Sequence, residues 1–131
     1  MGARTLRKWL LHPLLKTDEI KARQESVEEL FKESYLRSSI CELMKNFYDL
    51  ERLGGKVSLQ TANARDLVAL KESFLILPKI KEVINKLKSG LLSSLASGFD
   101  DLQDLFSLLD LFLKDSPPLA LKEGGIIKTG Y

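Results

Sequence analysis

Apolar residues recur three and four positions apart along nearly the whole chain, and this period constrains the fold to packed helices. Leu36, Ile40, Leu43, Met44 and Phe47 make one such stripe. Leu67, Leu70, Phe74 and Leu77 make a second, and Leu102, Leu105, Phe106, Leu109 and Phe112 a third. A striped helix has one face that something must cover, so the stripes call for a bundle.

Punctuation residues set the expected element ends. Pro13 stops a first helix over residues 4–11, with Leu6, Trp9 and Leu10 turned inward. Thr17 or Asp18 caps a second helix, whose buried face is Ile20, Val27, Leu30 and Phe31. Ser34 caps a third. YDLERL reads as a short turn, and Gly54-Gly55 breaks the pattern after it. Asn63 and Asp66 open the next helix, and Pro78 ends it. Ile80, Val83, Ile84 and Leu87 mark another, which stops at Gly90. LLSSLASG is one helical turn or a connector. Asp100 or Asp101 starts the last helix, and Asp115-Ser116-Pro117-Pro118 closes it. The tail, LALKEGGIIKTGY, carries a turn signal at Glu123-Gly124-Gly125. The expected architecture is all-α: one domain over residues 1–131, an irregular bundle of about six helices with a short extended or hairpin-like tail.

Charge excludes little by its total and more by its distribution. The 20 basic and 18 acidic residues leave +2, too near zero to imply a nucleic-acid or membrane partner. Residues 1–16 nevertheless hold Arg4, Arg7, Lys8 and Lys16 with no acid, and residues 99–115 hold five aspartates against Lys114. This asymmetry suggests complementarity inside the chain or between domains. Trp9 shares a stripe with Leu6 and Leu10 and reads as core. Arg4, Arg7 and Lys8 are the candidate weak DNA contacts, through phosphate. No apolar run approaches the ~20 residues of a membrane span. Trp9-Leu10-Leu11 is too short for the h-region of a signal peptide. The expected compartment is the cytoplasm. Cys41 is the one cysteine and is expected to be a small buried core residue.

Catalytic chemistry finds no footing, and no catalytic, cofactor-binding or metal-binding residue is expected. His12 is the one histidine and sits at a helix-ending proline, where the helix dipole favours it. One His and one Cys cannot make a zinc cluster. Glu25, Glu28, Glu29 and Glu33 lie at helical spacing around Arg23 and Lys32, as a solvated, ion-paired face does. Gly54-Gly55-Lys56 lacks the partners of a phosphate-binding P-loop, since position 50 is Leu and position 57 is Val.

Five segments in order resemble one family. Residues 2–14 (GARTLRKWLLHPL) look like the opening of the core, or lever, domain of MutS proteins. Glu19-Ile20-Lys21-Ala22-Arg23 with Val27-Glu28-Glu29-Leu30, Tyr48-Asp49-Leu50-Glu51-Arg52-Leu53, Asn63-Ala64-Arg65-Asp66-Leu67 and residues 122–131 (KEGGIIKTGY) continue the resemblance in register. It covers essentially the whole chain, though residues 91–99 match no strong family pattern.

The resemblance implies the first half of a core domain, lacking the clamp and the returning lever helices. It implies a structural and signal-transmitting role in DNA mismatch repair, within a bacterial cytoplasmic protein associated with the nucleoid when on DNA. The parent would be an ATPase through a domain absent here, using ATP and Mg, and a homodimer that binds mismatched double-stranded DNA. Asp49, Glu51, Arg52, Arg65 and Asp66, as charged residues inside the matching segments, are the candidate inter-domain contacts. Their alternative is as helix caps and surface pairs. A free-standing helical interaction module is the competing reading of the chain. Helices missing their partners should also leave an apolar patch, with Phe106, Phe112, Ile126 or Ile127 lining it and self-association following.

Overall fold

In the computed structural model, which describes residues 2–118 and 124–130, the described residues form seven helices. They are α1 (Ala3–Leu11), α2 (Thr17–Lys32), α3 (Ser34–Lys45), α4 (Leu50–Ser58), α5 (Ala64–Ile84), α6 (Gly90–Ser97) and α7 (Gln103–Phe112). The all-α expectation holds. Leu113 and Ile127 form an isolated antiparallel bridge, the one paired extended element among the described residues. The predicted turn falls partly on Glu123, outside the described residues; Gly124 and Gly125 follow it with φ of 67° each, in the left-handed region open to glycine.

The chain divides into two compact units. The first takes Met1–Lys45 and Lys79–Asp100, the second Asn46–Pro78 and Asp101–Tyr131. In the first, Ser26, Ile80, Leu87 and Ala96 are buried. The Glu29 carboxylate of α2 accepts the Lys88 and Ser89 N–H groups at 2.6 and 2.8 Å, satisfying backbone donors at the start of α6. The Arg37 guanidinium of α3 donates to the Leu30 and Phe31 carbonyls at 2.9 and 3.0 Å, closing the C-terminal turn of α2. In the second unit, Leu53, Ala64, Leu70, Phe74, Leu77 and Leu113 form the apolar core. Ser73, wholly buried, accepts the Tyr48 N–H at 3.1 Å and donates to the Ala69 carbonyl at 2.8 Å.

Several expected boundaries move. α2 starts at Thr17 with Lys16 as its cap residue, so neither Thr17 nor Asp18 caps it. Gly54-Gly55 does not break the helix: α4 runs through both, nucleated by Asp49, whose Oδ1 accepts the Arg52 N–H at 3.0 Å. Gly90 opens α6 instead of ending a helix, and the chain stays helical from there to Ser97. Asp100 and Asp101 precede α7, which begins at Gln103 after Leu102 at φ 51°.

Pro78 is the most informative correction. It lies inside α5, which continues beyond it to Ile84. A helix-interior proline frees the carbonyl four residues earlier, here that of Phe74, and crowds it. The Gln103 side-chain amide of α7 donates to that carbonyl at 3.3 Å and to the Asp101 carbonyl at 3.1 Å. A donor distant in sequence thus replaces the one proline lacks.

Burial on the first helices also departs from expectation. α1 buries no residue, and Trp9 is 45% exposed with Leu10 at 75%. Trp9 meets the Arg23 guanidinium, 3.8 Å above its ring, in a cation–π contact instead of a core. On the face predicted for α2, Val27 is 67% and Phe31 77% exposed. Cys41 is exposed as well.

The pairing of Gln103 with Pro78 sets a double-mutant test. Gln103→Ala should lower stability by about 1 kcal/mol, the net worth of a hydrogen bond. In a Pro78→Ala background the same change should cost measurably less, because the alanine N–H introduced there can supply the Phe74 carbonyl. Urea unfolding of the four proteins gives the coupling; equal costs in both backgrounds would show that Gln103 does not serve the proline.

Candidate interaction site

The five candidate contact residues fall on α4, its leading edge, and the start of α5, all in the second unit. Two of them are committed to building the helices. Asp49 caps α4. Asp66 and Asn63 form a reciprocal pair at the start of α5: the Asp66 N–H donates to Asn63 Oδ1 at 2.9 Å, and the Asn63 N–H donates to Asp66 Oδ2 at 3.0 Å. This is the geometry of a capping box, which satisfies two otherwise unpaired helix-end donors. The sequence expectation of a helix start at Asn63 and Asp66 therefore holds.

Asp66 has a second role. Lys56, in the last turn of α4, donates from Nζ to both Asp66 carboxylate oxygens at 2.8 and 2.9 Å. The Lys56 carbonyl in turn accepts the Thr61 and Ala62 N–H groups at 2.9 and 3.2 Å. The α4–α5 corner is thus fixed by one lysine and one buried aspartate. The Lys56 hydrogen bond, followed by the Asn63 N–H, holds the Asp66 carboxyl below the ordinary aspartate value, with Arg52 adding a smaller charge effect. Glu51 and Arg52 both lie exposed on α4.

Arg65, one position before Asp66, is exposed and lines a cleft of about 410 Å³ with Tyr48, Val68, Ala69, Glu72, Asp115, Ser116 and Pro117. Glu72, by hydrogen bond and then by charge, raises the Tyr48 phenol above its usual pKa. Of the five candidates, Arg65 lines this cleft. A second cleft of about 460 Å³ is lined almost wholly by apolar groups, among them Leu50, Val57, Leu70, Phe74, Leu105 and Leu109.

The residues proposed for DNA, Arg4, Arg7 and Lys8, all lie on exposed α1. Of the residues expected on an apolar patch one is clearly exposed, and Leu105, Leu108 and Leu111 of α7 are exposed as well. Phe106, Phe112 and Ile126 are half-buried and Ile127 is 48% exposed, while the large exposed side chains of α1 and α2 gather in the first unit.

Sequence reasoning missed Lys56, Lys71 and Gln103. Lys71 carried a readable signal: it interrupts the Leu67–Phe74 stripe at helical spacing, which places a cation on an inward face. Gln103 carried none. Among the described residues, no group of three or more His, Cys, Asp and Glu side chains is placed to hold a metal. Gly54-Gly55-Lys56 lies inside α4, so its backbone amides face along a helix and form no anion-binding loop. No helix among the described residues is long and apolar enough to cross a membrane.

The described residues thus form helices with capped starts and internal ion pairs. Its sequence matches MutS domain III over residues 1–129, and the chain belongs to that family. The DNA mismatch repair protein MutS of Pelotomaculum thermopropionicum is 49% identical over 132 residues, taking in 100% of this chain and 15% of the relative. Those of Halothermothrix orenii and Synechococcus elongatus are 47% and 45% identical, over 100% and 99% of this chain and 15% of each relative. The chain therefore spans about 15% of the length of these relatives.

The depressed Asp66 carboxyl fixes the sign of a pH effect. A group whose folded pKa lies below its ordinary value, 3.8 here, stabilises the fold fully above that value. The contribution is lost as pH falls through the lower folded value. Asp66→Asn should cost about 1 kcal/mol at neutral pH, the scale of a lost cap. It should also flatten the decline of stability below about pH 5, and thermal unfolding across that range measures both. An unchanged acid limb would show that Asp66 is not ionically coupled to Lys56.

Proposed function

We propose that this chain is the scaffold and transmission segment of a DNA mismatch-recognition ATPase, forming part of its core (lever) domain and performing no catalysis itself. The carrying observation is the match to MutS domain III across nearly all of the chain, with relatives named for DNA mismatch repair. In this reading residues 1–131 are a partial core domain. The clamp, the returning lever helices and the nucleotide-binding domain lie in other parts of the protein. ATP and Mg bind in the nucleotide-binding domain, mismatched double-stranded DNA is bound by the assembled protein, and the whole works as a homodimer in the bacterial cytoplasm.

One physical feature supports the reading. α1, with nine residues and none buried, is too short to be stable alone in water, so it calls for a covering surface. Other domains of a longer protein supply one. Arg65, Glu51 and Arg52 then reach toward neighbouring domains, and Asp49 and Asp66 cap the helices that carry them.

The test belongs in the full-length protein. Arg65→Ala should leave mismatch affinity without nucleotide within about twofold, yet reduce the effect of ATP on that affinity by several-fold, in the range of known coupling energies. Fluorescence anisotropy with and without nucleotide reads both. Unchanged coupling across Arg65, Glu51 and Arg52 variants would defeat the transmission role. For DNA itself, Arg7→Ala with Lys8→Ala should weaken only a non-specific, salt-sensitive component.

A further inference from the structure

The acidic end of the sequence is not a free surface, because two of its aspartates are engaged by a buried lysine. Lys71 is 7% exposed, in the middle of α5. Its Nζ donates to Asp115 Oδ1 at 2.5 Å and to Asp110 Oδ1 at 3.3 Å. The Asp115 hydrogen bond outweighs desolvation and raises the Lys71 pKa, and Lys71 in turn holds the Asp115 carboxyl below the usual range. The cation is therefore charged in place.

Its two partners bracket the end of α7. Asp110 lies in the last turn of that helix, and Asp115 lies just beyond Leu113. Leu113 is the residue that bridges Ile127, and this bridge is short: the Lys114 N–H donates to the Ile126 carbonyl at 3.0 Å, and the Lys128 N–H to the Phe112 carbonyl at 2.8 Å. From the other side Lys128 Nζ donates to the Asp110 carbonyl at 2.5 Å and stands 4.0 Å from its carboxylate. Two backbone hydrogen bonds between short extended segments are marginal without further support. Burial of Leu113 in the apolar core supplies part of that support, and the pair of lysines, one buried on α5 and one on the returning segment, meeting at Asp110, supplies the polar part.

We propose that Lys71 is a clasp: it locks the end of α7 and the returning residues 126–128 onto α5 as one strap that opens and closes in a single step, separately from the helices beneath. The outer half of the clasp is its weak point. Asp115 has a side chain 80% exposed, so water competes for it continuously, whereas Lys71 has no such alternative while buried. Opening therefore begins at Asp115, and leaves the α4–α5 corner intact because that corner is held by the separate Lys56–Asp66 pair. This inference does not depend on the transmission reading; it concerns which part of the second unit moves by itself.

Amide hydrogen exchange on the chain, residue by residue, tests it. Asp115→Asn removes the exposed half of the clasp without burying anything new. It should speed exchange at the Lys114 and Lys128 amides together, by at least tenfold, with the Leu53 and Leu67 amides unchanged. Lys71→Met should have a larger effect on the same two amides. Lys128→Met added to Lys71→Met should add little at Lys114, since both lysines act through Asp110. The proposal fails if Lys114 and Lys128 respond separately, if neither responds to Asp115→Asn, or if Leu53 and Leu67 accelerate equally. If Lys71→Met does not fold, the Asp115→Asn pattern alone decides.

Discussion

Pro78 has no N–H to give the Phe74 carbonyl, and a buried carbonyl without a donor costs on the order of 1–3 kcal/mol. The length of α5 depends on how that oxygen is satisfied. Gln103, distant in sequence, donates to it and sits at the first position of α7. The hydrogen bond therefore does two things at once. It lets α5 continue past proline, and it fixes where α7 begins on α5. Gln103 also reaches the Asp101 carbonyl, which steadies the turn into α7 where Leu102 takes a left-handed conformation. With α7 placed, its far end meets Lys71, one turn before Phe74 on the same helix. α5 is thus the element against which the second unit is assembled.

The apolar period was enough to predict an all-helical chain, because stripes at Leu36–Phe47 and Leu67–Leu77 leave no strand reading. Asn63 and Asp66 were legible as a helix start because capping is a local matter, settled within a single turn. Boundaries that depend on distant partners were not legible. Proline and glycine are scored from local cost, and a helix-interior glycine costs only about 1 kcal/mol relative to alanine. Packing of Leu53, 1% exposed, outweighs that cost on α4 and carries the helix through Gly54-Gly55. At Pro78 the decisive group was a glutamine that no period or spacing marks.

The candidate site was half legible for the same reason. Motif membership singled out Asp49, Glu51, Arg52, Arg65 and Asp66, but membership does not say whether a charge faces a neighbour or its own backbone. The structure divides them. Asp49 and Asp66 satisfy N–H groups of their own helix starts, while Arg65 lines a cleft. Adjacent residues on a helix point about 100° apart, so one step from Asp66 to Arg65 is enough to change a buried cap into an exposed cation. Motif membership names the residues, and geometry separates those that cap their own helix from those left exposed.

Charge asymmetry along the chain resolves in a similar way. Basic residues 1–16 and acidic residues 99–115 suggested mutual complementarity, yet the acidic stretch has much of its charge engaged nearer by. Asp110 and Asp115 answer Lys71, a lysine placed on an inward face of α5. A buried lysine is costly unless it is paired, and leaving it without a carboxylate would cost more than the pair gains. The value of this pair is therefore positional more than energetic: it specifies which carboxylates, and so which turn of α7, must lie over α5. The basic stretch is placed differently. Arg7 and Lys8 stand on α1, which buries none of its residues, and Trp9 beside them meets the Arg23 guanidinium across its ring. Leu6, Leu10 and Leu11 stand exposed among these cations, so α1 presents apolar and basic side chains together.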